Sequence, residues 1–215
     1  MRAEGKFHLA ALTGLAMMAA LLLAYLAIRP GPIKPTPIQT SAATLLPELR
    51  PLAPFSLRDQ QGRTYDNSRL QGHWTLLSFG YTHCPDICPT TLATLAQLKQ
   101  LLKQKGMQAP LEIGFVSVDP ERDTPQRLRE YVGYFDPALL GISGPPAAIE
   151  TLTRPLGIHY RKVITEESAM NYVVDHSASL VLLDPQGRYY ALFSPPHEAA
   201  IMARDILMIS QTAGD

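Results

Sequence analysis

A chain of 215 residues is long enough for one domain with one core once an apolar N-terminal stretch is set aside. Lysine plus arginine and aspartate plus glutamate balance at 19 each, so no excess charge exists to grip a phosphate backbone, which argues against a nucleic-acid partner. With two cysteines only, Cys84 and Cys88, a disulfide framework is excluded as well, because closing so short a loop removes little chain entropy.

Residues 9–28 carry no charge, and ~20 apolar residues at a ~1.5 Å rise match a ~30 Å hydrocarbon core. A single transmembrane helix is expected there, with residues 1–29 as tail and anchor. Tyr25 stands where a signal peptidase wants a small residue, which favours an uncleaved span. Arg2 and Lys6 precede the stretch and Arg29 and Lys34 follow it, so charge does not orient it. A short tail inside and a large domain outside is the simpler layout. The tail holds Glu4 and few arginines, which fits a bacterial inner membrane better than a mitochondrial transit sequence, with the domain facing the periplasm.

Many of the 19 prolines cluster between Pro30 and Pro54. The run RPGPIKPTP favours extended polyproline conformations and predicts a semi-rigid spacer. Residues 30–50 are therefore expected to be a proline-rich linker and residues 51–215 the folded domain.

Within that domain, FSLRDQQGRTY (Phe55 to Tyr65) predicts a hairpin around a Gln-Gly turn. WTLLSF (Trp74 to Phe79) reads as a strand buried on both faces. Leu92, Leu95, Leu98, Leu101 and Leu102 recur at three- and four-residue spacing, placing a core stripe on a helix from about Pro89 to Lys105. LEIGFVSV predicts the next strand, and Thr124 to Phe135 the next helix, with Thr124 as N-cap and Pro125 in its first turn. Beyond lie a short strand at Leu139 to Ile142, a helix over Pro146 to Arg154, strands at Ile158 to Val163, Tyr172 to Val174, Ser179 to Leu183 and Tyr189 to Phe193, and a last helix from about His197 to Ile209. The alternation predicts an α/β sandwich of thioredoxin-like type, with an N-terminal hairpin extension.

The chemistry centres on YTHCPDICP. Cysteines four apart at a helix start share one face, so both sulfurs can point to one centre, stiffened by Pro85 and Pro89. The helix N-terminus lowers thiol pKa, improving each cysteine as metal ligand and as nucleophile. A Cys84–Cys88 disulfide is also feasible, since Cα atoms one turn apart fall near the ~4.4 to 6.8 Å that such a bond requires. A third metal ligand would come from elsewhere, and imidazole is the natural candidate. Of six histidines, His8 lies before the span, His73 precedes a strand, His83 adjoins Cys84 but diverges from it, His159 alternates in a strand, and His197 opens the last helix. His176, in VVDHSAS at a strand entrance, is the strongest of the six. Asp86 reads as a solvated carboxylate at the helix start or a tuner of thiol pKa, Asp119 and Asp123 as turn and capping groups or supports of the site, and Asp175 as a residue able to orient the histidine loop.

FGYTHCPDICPTTL, VSVDPERDTPQRLREY and YVVDHSASLVLLDPQGRY, in this order and spacing, resemble the SCO/SenC family of copper chaperones from about Leu52 to the last helix. The resemblance implies a thioredoxin fold presenting Cys84, Cys88 and His176 to one copper ion, Cu(I) or Cu(II). It also implies delivery of copper or reducing equivalents to the copper-bearing subunit of cytochrome c oxidase. Zinc also suits an S₂N site. The expected function is that of a membrane-anchored metallochaperone and thiol-disulfide reductase rather than a turnover enzyme. The alternative is a metal-free thiol-disulfide oxidoreductase of the cell envelope. A peroxidase of peroxiredoxin type is disfavoured, because no arginine adjoins Cys84 in sequence.

Overall fold

The computed structural model describes residue 15 and residues 17–25, 39–164 and 172–212. The chain divides into two units, Met1–Pro37 and Ile38–Asp215. In the first, residues 17–25 are helical. The flanks of the expected transmembrane stretch lie outside the described residues, among which no helix is long and apolar enough to cross a membrane.

The second unit is built on an eight-stranded mixed sheet. In chain order its strands are β1 (Ala43–Pro51), β2 (Ser56–Asp59), β3 (Thr64–Asp66), β4 (Trp74–Gly80), β5 (Leu111–Ser117), β6 (Leu140–Ser143), β9 (Leu180–Leu183) and β10 (Arg188–Phe193). Two further strands, β7 (Tyr160–Ile164) and β8 (Tyr172–His176), pair with each other outside that sheet. The helices are α1 (Ile87–Gln104), α2 (Pro125–Phe135), α3 (Pro146–Thr153) and α4 (Ala199–Thr212).

The sheet order is β1-β10-β9-β4-β5-β6-β2-β3. Strands β4, β5 and β6 run parallel, while β9 pairs antiparallel with β4 and β10 antiparallel with β9. Every residue of β4 is buried, as an apolar run without alternation requires of a strand covered on both faces. Trp74 and Leu76 face a core with Leu92, Leu95 and Leu98 of α1 and Met202 and Ile206 of α4. Leu77 and Phe79 face a second core with Leu57, Tyr65, Ile149 and Leu152. The two faces thus bury the leucine stripe of α1 on one side and the N-terminal hairpin and α3 on the other.

One expectation needs correction. The proline-rich linker expected over residues 30–50 overlaps the sheet, because residues 43–51 form β1, paired antiparallel with β10. Proline is tolerated there because β1 is an edge strand and Pro47 falls in an irregular stretch of the register between Leu45 and Arg50. A buried carboxylate fastens the strand's start: Asp205 Oδ2 on α4 accepts from the backbone N–H of Ser41, Ala42 and Ala43 at 2.8, 2.7 and 3.0 Å. The boundary shifts at the other elements are one to three residues, as fraying ends allow. Thr124 does cap α2, its hydroxyl accepting from Arg127 N–H at 3.2 Å.

Candidate metal centre

The site forms at the C-terminal ends of the parallel strands β4 and β5, where an α/β sheet leaves a crevice. β4 ends at Gly80, and Val118 N–H donates to the Gly80 carbonyl at 2.9 Å, keeping the two strand ends together. Gly80 also makes room, since a Cβ there would collide with Cys88 Sγ and lie 2.9 Å from Phe115 Cε2. The chain then turns, Cys84 N–H donating to the Tyr81 carbonyl at 3.2 Å, and α1 begins at Ile87.

Asp86 occupies the N-cap position of α1 but makes no side-chain cap bond. Cys84 takes that role: its sulfur accepts from the Cys88 thiol and from the backbone N–H groups of Asp86 and Cys88. These bonds, the one from Cys88 first, hold the Cys84 thiol down to about 3 against the opposing effect of burial. Cys88 is pushed the other way, because its proton is shared with the Cys84 sulfur and because it is buried. The pair therefore holds one proton between two sulfurs, with the negative charge on the half-buried Cys84.

The third donor arrives on β8. His176 ends that strand, and its Nε2 lies 3.4 Å from Cys88 Sγ. Its Nδ1 sits 3.1 Å from the Ser177 carbonyl, which as an acceptor assigns the proton to Nδ1 and leaves the Nε2 lone pair facing the sulfurs. The Tyr81 ring packs edge-on against the imidazole at 6.0 Å and 89°. Cys84 Sγ, Cys88 Sγ and a ring nitrogen of His176 all lie within 4.8 Å of one another. Three donors spread evenly on a sphere of ~2.3 Å, a usual metal–sulfur length, would stand ~4 Å apart, so the spacing fits one metal ion. Two thiolates and a neutral imidazole suit a soft cation.

Both sides of the site are braced by the loop between β5 and α2. Asp123, 2 % exposed, accepts from Thr82 N–H at 3.0 Å, Thr82 Oγ1 at 2.6 Å and Ser117 Oγ at 2.6 Å, fixing the segment that leads to Cys84. Asp119, fully buried, accepts from Tyr172 Oη at 2.6 Å and from Arg122 Nε at 2.5 Å. Arg122 in turn donates to the Tyr172 carbonyl at 3.0 Å and stacks on the Tyr172 ring at 3.6 Å. Tyr172 begins the strand that His176 ends. The two carboxylates of the DPERD segment are thus supports of the site as well as turn formers.

The other sequence candidates fall elsewhere. His83 is exposed and turns to Thr82 Oγ1 at 3.2 Å and Asp123 Oδ1 at 3.7 Å. His73 sits by Glu112 at 3.7 Å, and His159 is exposed beside β7. His8 lies outside the described residues. Asp86 is exposed. Asp175 pairs with Arg161 at 3.0 Å on the exposed face of the β7–β8 hairpin and does not orient His176, because successive strand residues point to opposite faces. Gly80, Arg122 and Tyr172 escaped the sequence reading. Only the glycine, at the end of an apolar strand, left a usable signal there.

A thioredoxin-like domain that gathers two cysteine sulfurs and an imidazole is a recognisable class, and known proteins place it further. The sequence profile of the family described as SCO1/SenC matches residues 46–211. The protein SCO1 homolog 1, mitochondrial, of Arabidopsis thaliana is 40% identical over 145 residues, which covers 67% of this chain and 42% of that protein. The structure of Arabidopsis thaliana ScoI with copper bound superposes with a TM-score of 0.68 at 38% identity, covering 74% of this chain and 98% of the other. Bradyrhizobium japonicum ScoI with copper bound gives 0.64 at 36% identity, covering 73% and 97%. The chain belongs to the SCO1/SenC family.

The thiol pair can be tested directly. With Cys84 ionised down to about pH 3, its alkylation by iodoacetamide should stay nearly constant between pH 8 and pH 5, whereas an ordinary thiol slows about tenfold per unit below its pKa of ~8.5. Peptide mapping by mass spectrometry reads this residue by residue. Cys88→Ala removes the donor and should restore a steep pH dependence; an unchanged flat profile would show that the Cys88 thiol does not hold the charge on Cys84.

Proposed function

We propose that this chain is a copper chaperone of cytochrome c oxidase assembly, holding one copper ion through Cys84, Cys88 and His176. The observation that carries the reading is the convergence of the three donor atoms within 4.8 Å. The copper-bound ScoI structures of similar fold support the choice of copper over zinc. Bound there, the metal would present a soft centre able to pass to another thiolate-rich or imidazole-rich site. The protein's part is to keep both sulfurs reduced, to hold the imidazole in the Nδ1–H tautomer, and to leave Cys84 accessible from outside.

The ionised Cys84 beside a protonated Cys88 supports a redox role in the same site. Cys84 can attack a partner disulfide, and Cys88 can then resolve the mixed disulfide, leaving a Cys84–Cys88 bridge and a reduced partner dithiol. A stabilised thiolate is also a good leaving group, so the bridge is readily reduced again. Metal holding and dithiol chemistry exclude each other in time, because copper needs both thiols reduced. The recipient we propose is the copper-bearing subunit of cytochrome c oxidase. The equal numbers of basic and acidic residues, 19 each, give no charge excess that would favour nucleic acid.

We place the domain at a membrane through residues 1–29, facing the periplasm of a bacterial inner membrane, on the strength of the uncharged residues 9–28 and the proline-rich run after them. The full chain expressed in a bacterial host should stay with membranes through an alkaline carbonate wash, and residues 38–215 should appear in the soluble fraction; release of the full chain would remove the anchor.

Titration of reduced residues 38–215 with Cu(I) against a chromophoric chelator should reach one equivalent. Cys84→Ala, Cys88→Ala and His176→Ala should each weaken binding by at least about 100-fold, since each removes one of three donors. The disulfide form should bind no Cu(I). Unchanged affinity in all three variants would overturn the chaperone reading and leave a dithiol reductase.

A further inference from the structure

We propose that His197, outside the ligand set, is a positioning residue for His176 and so tunes the metal affinity of the site. The inference rests on the reading of Cys84, Cys88 and His176 as copper ligands. His197 stands between β10 and α4, in the segment SPPHE that the proposed function leaves unused. Its Nε2 lies 2.8 Å from the Ala178 carbonyl, two residues beyond His176. Its Nδ1 is buried and has no hydrogen-bond partner among the described residues. The single bond of the ring is therefore the one from Nε2–H to Ala178.

Ser177, Ala178 and Ser179 bridge β8 and β9, and the ring of His176 hangs on them. His176 Nδ1–H donates to the Ser177 carbonyl at 3.1 Å, so the direction of the Ser177–Ala178 peptide plane sets where Nε2 points. That plane is tied on both sides. On one, Ser177 N–H donates to the His159 carbonyl at 2.9 Å, and Ser177 Oγ accepts from His159 N–H at 3.0 Å. On the other, the following carbonyl is held by His197. Two imidazoles thus bond to successive carbonyls of one short loop, one as ligand and one as brace. Without the brace the plane is fixed from one side only, and the ligand ring gains freedom that metal binding must then remove.

The pair His197→Phe and His197→Gln separates the bond from the packing. Phenylalanine keeps the ring volume and loses the donor; glutamine keeps a donor near the Nε2 position and loses the ring. Both go into residues 38–215, with His159→Ala as a reference, since the backbone of His159 and not its exposed ring makes the bonds to Ser177. Two readouts apply: Cu(I) affinity, and the ¹⁵N shifts of the His176 imidazole in the reduced metal-free protein, which report the Nδ1–H tautomer.

In His197→Phe the affinity should fall about 10- to 100-fold, the range for removing a group that orients a ligand, and the His176 shifts should move toward a mixture of tautomers. His197→Gln and His159→Ala should stay within about threefold of the unsubstituted protein. Unchanged affinity and shifts in His197→Phe would overturn the inference, and so would equal losses in Phe and Gln, which would assign the effect to ring packing. If the unsubstituted protein binds no copper, the function reading fails, while the metal-free His176 shifts still decide whether His197 positions that ring.

Discussion

Two buried carboxylates in one loop hold the two halves of the site together. Asp123 anchors Thr82 ahead of the cysteines, and Asp119, with Arg122, anchors Tyr172 at the start of the strand that ends in His176. The donors they unite are 88 residues apart in sequence, and β7 and β8 pair only with each other outside the main sheet. Backbone pairing with the sheet does not place His176. Side chains do, and among them Asp119 and Arg122 are a buried ion pair, in which losing one partner costs about 3–5 kcal/mol through the charge left unpaired.

The same economy of groups governs the sulfurs. A helix start leaves backbone N–H groups seeking an acceptor, and here the Asp86 side chain makes no cap bond. Cys84 supplies the negative charge in its place; its thiol is held down first by the Cys88 thiol and then by the backbone N–H groups, while that of Cys88 is pushed up because it gives its proton to Cys84 and is buried. In the function we propose, metal affinity and dithiol reactivity are two outcomes of one electrostatic arrangement. Which of them operates depends on whether a cation or a partner disulfide meets Cys84.

Much of the fold was legible because its signals are local. The uninterrupted apolar run of β4, the leucine spacing of α1 and the Thr124-Pro125 start of α2 each carry a physical requirement in a few residues. β1 was not legible: its prolines pointed to a spacer, and only its place at the sheet edge and the Asp205 clamp, 162 to 164 residues away, make a strand of it. Cys84, Cys88 and His176 were readable from chemistry and family resemblance. The roles of Arg122, Tyr172 and His197 were not, since each acts through a contact distant in sequence that no periodicity records. Asp175, next to His176 in sequence, turned out to face Arg161 instead.

The central claim is that two sulfurs and one imidazole nitrogen bind a single ion. X-ray absorption at the copper edge of the loaded, reduced residues 38–215 tests it most directly. The account predicts a first shell of two sulfur atoms and one nitrogen, with the outer-shell pattern of an imidazole ring that disappears in His176→Ala. A shell of nitrogen and oxygen alone, or a copper–copper vector from a bridged pair of metals, would contradict it.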